Sequence, residues 1–419
     1  MAFNPGGAAT GAIVPSPAAE PGAAAPSMPS SLVWLFALAC GLSVANVYYA
    51  QPLLDAMAHE FGFGYGAVGI VITATQAGCA LALLLLVPVG DLFDRRRLIL
   101  LQLLLLAMAL GLVVLASTRV ALLAGMLTLG LLGTAMTQGL IAFAATLAAP
   151  AERGRVVGAA QGGVVIGLLM ARAMAGVLAD LAGWRAVYVV SGVLALLMIA
   201  LLARCLPRQA SAPLRISYAR LLGSMFTLLA SERTLQIRGV LAMLMFAAFS
   251  VFWTALVLPL SAPPYSMSHT AIGAFGLVGA AGALAATHAG RLADRGLGQW
   301  TTGVALILLL ACWLPLGFAG QSLWLLVAGV IVLDLAGQAI HVTNQSLVFR
   351  VRPEAHSRLV GCYMLFYALG SGAGSIASTH AYALAGWSGV CVLGAAISAA
   401  ALAFWVLTLR AMPRVCAAA

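Results

Sequence analysis

Gly90-Asp91-Leu92-Phe93-Asp94-Arg95 returns 200 residues later as Gly290-Arg291-Leu292-Ala293-Asp294-Arg295. Pro150, Arg155, Gly158, Gly167, Gly183 and Trp184 return as Pro353, Arg358, Gly361, Gly370, Gly386 and Trp387, each at an offset of 203 residues. A constant offset over so many positions means that two halves follow one plan. Internal symmetry of this length in an apolar chain is the sequence mark of a secondary transporter.

The chain is 63% hydrophobic and 8% charged, where a soluble domain carries about 25% charged residues. So few charges cannot cover a water-facing surface, and lipid is the expected solvent for most of the molecule. The basic residues are 21 Arg and no Lys; with the Ala and Gly excess this is the composition of a GC-rich, bacterial genome. A net charge of +10 invites a nucleic-acid reading, but the Arg residues sit in short loops between apolar runs, which argues against it. The seven Cys are scattered without a CxxC pair, so neither a disulfide framework nor a metal site is expected.

A helix crossing the ~30 Å hydrocarbon layer needs roughly 20 apolar residues. Twelve runs qualify: 32–57, 66–90, 98–116, 120–148, 156–179, 186–204, 236–260, 270–290, 301–319, 323–349, 359–384 and 387–409. In lipid each must be a helix, because every backbone polar group needs an internal partner. The expected fold is therefore an all-α membrane protein of two pseudo-symmetric six-helix bundles, over 32–204 and 236–410. A linker over 205–235 joins them, and tails over 1–31 and 411–419 flank them. The first tail is Ala, Pro, Gly and Ser without Lys or Arg, so it is read as disordered rather than as a signal peptide. Leu221, Leu222, Met225, Phe226, Leu228 and Leu229 give the linker an apolar stripe. It is read either as a helix on the membrane surface or as a plain flexible connection. Eighteen of the 21 Arg, Arg238 among them, are assigned to one set of loops and only Arg119 and Arg185 to the other. By the positive-inside rule both termini and the Arg-rich loops are expected in the cytoplasm.

These features resemble the major facilitator superfamily, whose signature after the second helix is Gly-x-Leu-x-Asp-Arg-x-Gly-Arg-Arg/Lys. Here it reads Gly90, Leu92, Asp94, Arg95, Arg96, Arg97, without the second Gly, and its weaker copy is Gly290, Leu292, Asp294, Arg295. The resemblance covers 32–410. Tyr48-Tyr49-Ala50-Gln51-Pro52-Leu53-Leu54, Glu152-Arg153-Gly154-Arg155 with Arg172, and Asn344-Gln345 ahead of Arg358 are similar to proton-antiporter branches that include drug, sugar and nucleoside exporters. The resemblance implies a gate at Gly90, Asp94, Arg95, Arg97, Gly290, Asp294 and Arg295. In it, Asp94 would face the N-terminal end of the eleventh helix near Arg358, where the helix dipole favours an anion.

Ten of the eleven acids fall in the tail, in loops or near span ends; Asp334 alone lies deep in a span. Insertion scales charge an Asp at the bilayer centre about 2.5–3.5 kcal/mol, which makes Asp334 a functional candidate. Gln338, His341 and Gln345 follow at i+4, i+7 and i+11 on the same helix face, with Asn344 beside them. Such a stripe must face protein or a water-filled cavity. A carboxyl there could take up a proton on one side and release it on the other. Arg172 lies at similar depth in the other half, about 16 residues or roughly 24 Å from the cytoplasmic end of its helix, and is expected to interact with Asp334. Asn46, Tyr48, Tyr49, Gln51, Thr134, Thr137, Gln138, Trp253 and Thr254 are weaker cavity candidates, each as readily a packing residue. Tyr363 and Tyr367 would suit a flat or cationic ligand. Gly158, Gly162, Gly163 and Gly167, like Gly370 and Gly374, would let helices approach closely and rock.

The sequence thus points to a monomeric carrier of a small organic solute in a bacterial inner membrane, working by alternating access with protons and lipid as its other partners. Proton-coupled efflux of drugs or metabolites is the leading reading. Uptake by proton symport is the alternative, and a non-transporting membrane sensor a further one. No cofactor, metal or nucleic acid is expected, nor an enzymatic activity, since no cluster has ligand or triad spacing.

Overall fold

The computed structural model describes residues 28–207, 217–352 and 356–411. Most of the expected tails and the middle of the linker lie outside the described residues, as do the side chains of Asp91 and Asp294. All regular structure among the described residues is helical.

The first half comprises α1 (Ser30–Tyr48), α2 (Leu54–Phe61), α3 (Ile70–Leu81), α4 (Arg95–Val114), α5 (Arg119–Leu147), α6 (Arg153–Ala182) and α7 (Trp184–Cys205). A further helix, α8 (Tyr218–Ser231), precedes the second half. That half comprises α9 (Arg233–Ala255), α10 (Val257–Ser261), α11 (His269–Val278), α12 (Ala280–Asp294), α13 (Gly298–Ala311), α14 (Trp313–Gly317), α15 (Leu323–Phe349) and α16 (His356–Thr408). Ten helical stretches among the described residues are long and apolar enough to cross a bilayer. One of them is two spans, because α16 breaks at Ala385 and at Gly386, where φ is +59°. A further span is α11 and α12 end to end, and the sum is the twelve expected from the sequence.

The first span of each half is broken near its Arg-poor end, and proline explains both places. Pro52 opens a 3₁₀ turn, Gln51–Leu53, between α1 and α2, and Pro259 lies in the short α10. Lacking an N–H, proline removes one rung of the helical ladder and crowds the preceding turn. The break carries Gln51 inward, which matters below.

Within each half, helices touch backbone to backbone at glycines. On α6, a methyl at Gly163 would overlap the Ala37 carbonyl and one at Gly167 the Gly41 carbonyl, both on α1. On α16, a methyl at Gly370 would overlap the Met243 carbonyl and one at Gly374 the Ala247 carbonyl, both on α9. Gly167 and Gly370 are partners at the 203-residue offset, so one glycine performs one task twice. These glycines therefore bind helices inside each bundle. Other small contacts form the seam between the bundles. Gly176 meets the His269 carbonyl and Gly273 the Arg172 carbonyl. Thr379 Oγ1 accepts from Gly69 N at 3.2 Å, and Thr73 Oγ1 donates to the Gly372 carbonyl at 2.7 Å. These contacts join α6 to α11 and α3 to α16 in the Arg-poor part of the molecule.

The linker stripe folds as α8, capped by Ser217. Its Met225 and Leu228 are buried with Leu235, Leu359, Cys362 and Tyr363 of the second half, while Phe226 stays exposed. Tyr218 Oη donates to the Leu85 carbonyl of the first half at 2.8 Å. The helix thus packs on protein and bridges both halves at the Arg-rich end.

Filling a backbone contact should cost more than filling an open groove. Gly370→Val is expected to destabilise by about 1–3 kcal/mol. Gly158→Ala, where nothing lies within 4 Å, should stay within about 0.5 kcal/mol. Thermal unfolding of the purified protein in detergent checks both.

Candidate functional site

The seam buries a cation. Arg172, on α6, is 3% exposed. Its Nε donates to Gln51 Oε1 at 2.7 Å, on the proline-broken turn of the first span. Its guanidinium lies 4.1 Å from the ring centre of Trp253 and 5.3 Å from that of Tyr48. Trp253 belongs to the second half, so this stack crosses the seam; a desolvated contact of this kind is worth about 2 kcal/mol. Gly273 and Gly276 of α11 leave the room that the Arg172 backbone and side chain fill. Tyr48 Oη and Tyr367 Oη meet at 2.6 Å, a second polar contact across the seam.

Asp334, on α15, is the one buried acid among the described residues, at 4% exposure. It packs on α12 where Gly279 and Gly282 leave space, and its charged neighbour is Arg172. The two do not form an ion pair. Arg172 Nη2 and Asp334 Oδ2 are both buried without a hydrogen-bond partner. A polar atom left so costs about 1–3 kcal/mol, more when charged, so the pair is poised to take a third group or to close on itself.

Beside this pair the second half presents aromatic rings. Phe246 packs edge-on to Tyr367 at 4.4 Å, to His341 at 5.2 Å and to Phe249 at 6.4 Å, and Phe249 lies 6.1 Å from Trp253. His341 Nδ1 and Tyr363 Oη are 3.1 Å apart. Phe246, Phe249, His341 and Tyr367 are half-buried, as are Gln338 and Gln345 on the α15 stripe.

Other expected residues fall elsewhere. Asn46 accepts from Ser191 Oγ at 2.8 Å and Tyr49 packs edge-on to Tyr188; both lie inside the first bundle. Gln138 is half-buried on α5, and Thr137 bonds its own helix. Asn344 turns away from the stripe and accepts from Arg238 Nη1 at 3.1 Å. That contact corrects the sequence reading of Arg238 as a loop residue. Arg238 stands five residues inside α9, fully buried, with Thr302 Oγ1 at 2.9 Å and two nitrogens without partners. Its position inside the 236–260 run was the available signal. Phe246 and Phe249 had no such signal, since an aromatic in an apolar run reads as core.

The repeated motif is placed as follows. Gly90 gives its carbonyl to Arg95 Nε at 3.2 Å. Asp94 caps its own helix α4, accepting from Arg97 N at 2.9 Å. The free N–H groups of α4 lie three residues away and cost little chain ordering to reach; the side chains of residues 353–357, where the eleventh span begins, lie outside the described residues. Gly90 and Gly290 are half-buried, and Arg97 and Arg295 exposed.

A model of the Major Facilitator Superfamily matches the chain twice, over residues 34–295 and 238–416. The chain is 44% identical over 375 residues to the uncharacterised transporter YgaY of Escherichia coli O157:H7, covering 90% of this chain and 95% of that one. Among solved structures it resembles a bacterial homologue of the human lysosomal transporter Spinster in an inward-facing, occupied conformation. There the TM-score is 0.74 at 15% identity, over 92% of this chain and 98% of that one. It also resembles the nucleoside transporter NupG, with a TM-score of 0.72 at 15% identity over 91% of this chain and 100% of that one. At such identity these two structures speak to the fold.

Arg238 and Asn344 should depend on each other. In a double-mutant cycle, Arg238→Met and Asn344→Leu are expected to couple by about 1.5–3 kcal/mol, the range for hydrogen bonds to charged groups. Unfolding in detergent measures it; strict additivity would mean that the contact contributes nothing.

Proposed function

The chain belongs to the Major Facilitator Superfamily and is a membrane transporter, and on that premise we propose that it exports a small organic solute in exchange for protons. Asp334 is the coupling carboxyl and Arg172 its partner. The observation that carries this reading is the pair itself: a buried carboxylate and a buried guanidinium, neighbours across the seam of the two halves, each with an unpartnered polar atom.

Exchange follows from competition. A solute that offers a hydrogen-bond donor to Asp334 and an acceptor to Arg172 binds the ionised carboxylate, so it and the proton occupy the site in turn. The rings of Phe246, Phe249, Trp253 and Tyr367 favour a solute with a flat or apolar face. An amphipathic, neutral or zwitterionic compound suits both features. A purely anionic solute would need Asp334 protonated so that Arg172 alone meets it, would bind together with the proton, and would make the carrier a symporter. By the distribution of Arg the Arg-rich side is cytoplasmic. The solute then enters from the cytoplasm and leaves where the seam is closed in this structure. Closing the Arg-rich side afterwards would fall to the loop motif, with Asp94 leaving its own helix for the start of α16, and to α8.

Vesicles containing the purified protein, an imposed pH gradient and a panel of small solutes test this. Wild type should accumulate its solute against the proton flow. Asp334→Asn should lose gradient-driven accumulation at least tenfold while retaining downhill exchange. Arg172→Ala should lose both. Accumulation by Asp334→Asn equal to wild type, or transport that ignores the gradient, would overturn the reading.

A further inference from the structure

His269 is the first residue of α11, at the Arg-poor end of the span that α11 and α12 form, and belongs to the second half. Its Nδ1 is 3.0 Å from Asp180 Oδ1 on α6, and its Nε2 is 3.1 Å from Asp55 Oδ1 on α2. Both acids belong to the first half. Asp180 also accepts from the backbone N–H groups of His269 at 3.0 Å and Thr270 at 2.8 Å, the free donors at the start of α11. The three side chains are 21–27% exposed, so protons reach them from the Arg-poor side.

The geometry fixes the charge. A neutral imidazole has one N–H, and its other nitrogen is an acceptor. Here both nitrogens face carboxylate oxygens, so the neutral ring would turn a lone pair on an anion. The arrangement is complete only with a second proton on the ring. Asp180 takes three donors.

We propose that His269 is a proton-binding site that holds the two halves shut on the Arg-poor side. Loaded, the imidazolium clamps Asp55 to Asp180; unloaded, the clamp turns repulsive and the side opens. This deepens the exchange reading and rests on its alternation of the two halves. A second proton, on His269, closes the side from which the solute has left.

Other titratable groups do not mask this site. On α2, Glu60 is engaged by Trp184 and Arg185, and His59 is exposed. On α6, Arg172 lies two turns deeper. Neither α10 nor the Gln51–Leu53 turn carries a titratable side chain. Asp334 of α15 lies deeper in the seam, and His288, Arg291 and Asp294 of α12 belong to the other end of that span. In the clamped state both ring nitrogens face carboxylates, which favours the imidazolium there. A group raised in the clamped state stabilises that state fully below its unclamped value and loses the effect as pH climbs through the raised one. The clamp is therefore complete at low pH and lost as the pH is raised. Over the range in which it is lost the closed-to-open ratio should fall by up to tenfold per pH unit, reduced by solvent screening.

The test needs no solute, so its failure is distinct from a failure of the exchange reading. Spin labels at Val120→Cys and Trp324→Cys, exposed rim positions of the two halves, report the opening of the Arg-poor side. The full chain, with its native cysteines replaced by alanine, is placed in lipid nanodiscs and measured by dipolar spectroscopy from pH 5 to 10. With His269 intact, the short distance should dominate at pH 6 and give way with a single midpoint as the pH is raised. His269→Gln should raise the open population at pH 6 at least tenfold and abolish that midpoint. His269→Arg, a permanent cation, should stay closed throughout. The proposal is overturned if the parent shows one distance distribution at all pH values. It is equally overturned if His269→Gln keeps the parent's midpoint, or if His269→Arg opens as His269→Gln does.

Discussion

A guanidinium stacked on an indole across the seam between two bundles is the interaction on which the rest of the site depends. Arg172 is too deep to reach water and has no carboxylate bonded to it. It is held instead by Gln51, Trp253 and Tyr48. Each contact comes from a local feature of the chain. Pro52 breaks the first span and brings Gln51 round. Gly273 and Gly276 thin α11 so that the side chain fits. Trp253 reaches over from the other half. Together these weak contacts, each worth about 1–3 kcal/mol, are comparable to the cost of holding a charge at that depth. They leave Asp334 Oδ2 near and without a hydrogen-bond partner, which is the condition a coupling site needs.

Symmetry and its failure divide the labour. The repeated glycines build each bundle: Gly167 and Gly370 press their helices onto partner backbones in the same way. The charges at the seam are not repeated. Arg172 maps by the offset onto Ser375, which bonds Thr254 inside the second bundle, and Asp334 maps back onto Leu131. The His269 clamp is likewise one-sided, two acids from one half on a base from the other. Structure shared by the halves packs each bundle; structure held by one half only gives the seam its own chemistry.

The fold was legible because its signals are long. Runs of about twenty apolar residues, a constant offset and the placement of Arg depend on many residues each, and the helices fall where the runs lie. Asp334 and Arg172 stood out because a charge inside an apolar run has no cheap explanation. Arg238 should have stood out by the same rule, but lay near enough to a span end to pass for a loop residue. What was not legible was pairing. His269 sits 89 residues from Asp180 and 214 from Asp55, and nothing local marks it. Trp253, Phe246 and Phe249 read as core until their neighbours are known. Asn46, Tyr49 and Asn344 were credible as cavity residues by helix position and turn out to be spent on Ser191, Tyr188 and Arg238. A period of 3.6 gives a face, but not which element lies against it.

The central claim is that solute and proton take turns at Asp334. The most direct measurement is the proton released when the solute binds to detergent-solubilised protein in weakly buffered solution with a pH indicator. Near neutral pH, wild type is expected to release a proton on binding, with a yield that falls as the pH is raised, and Asp334→Asn to bind without release. Equal release by both proteins, or binding by wild type with no release at any pH, would contradict the account.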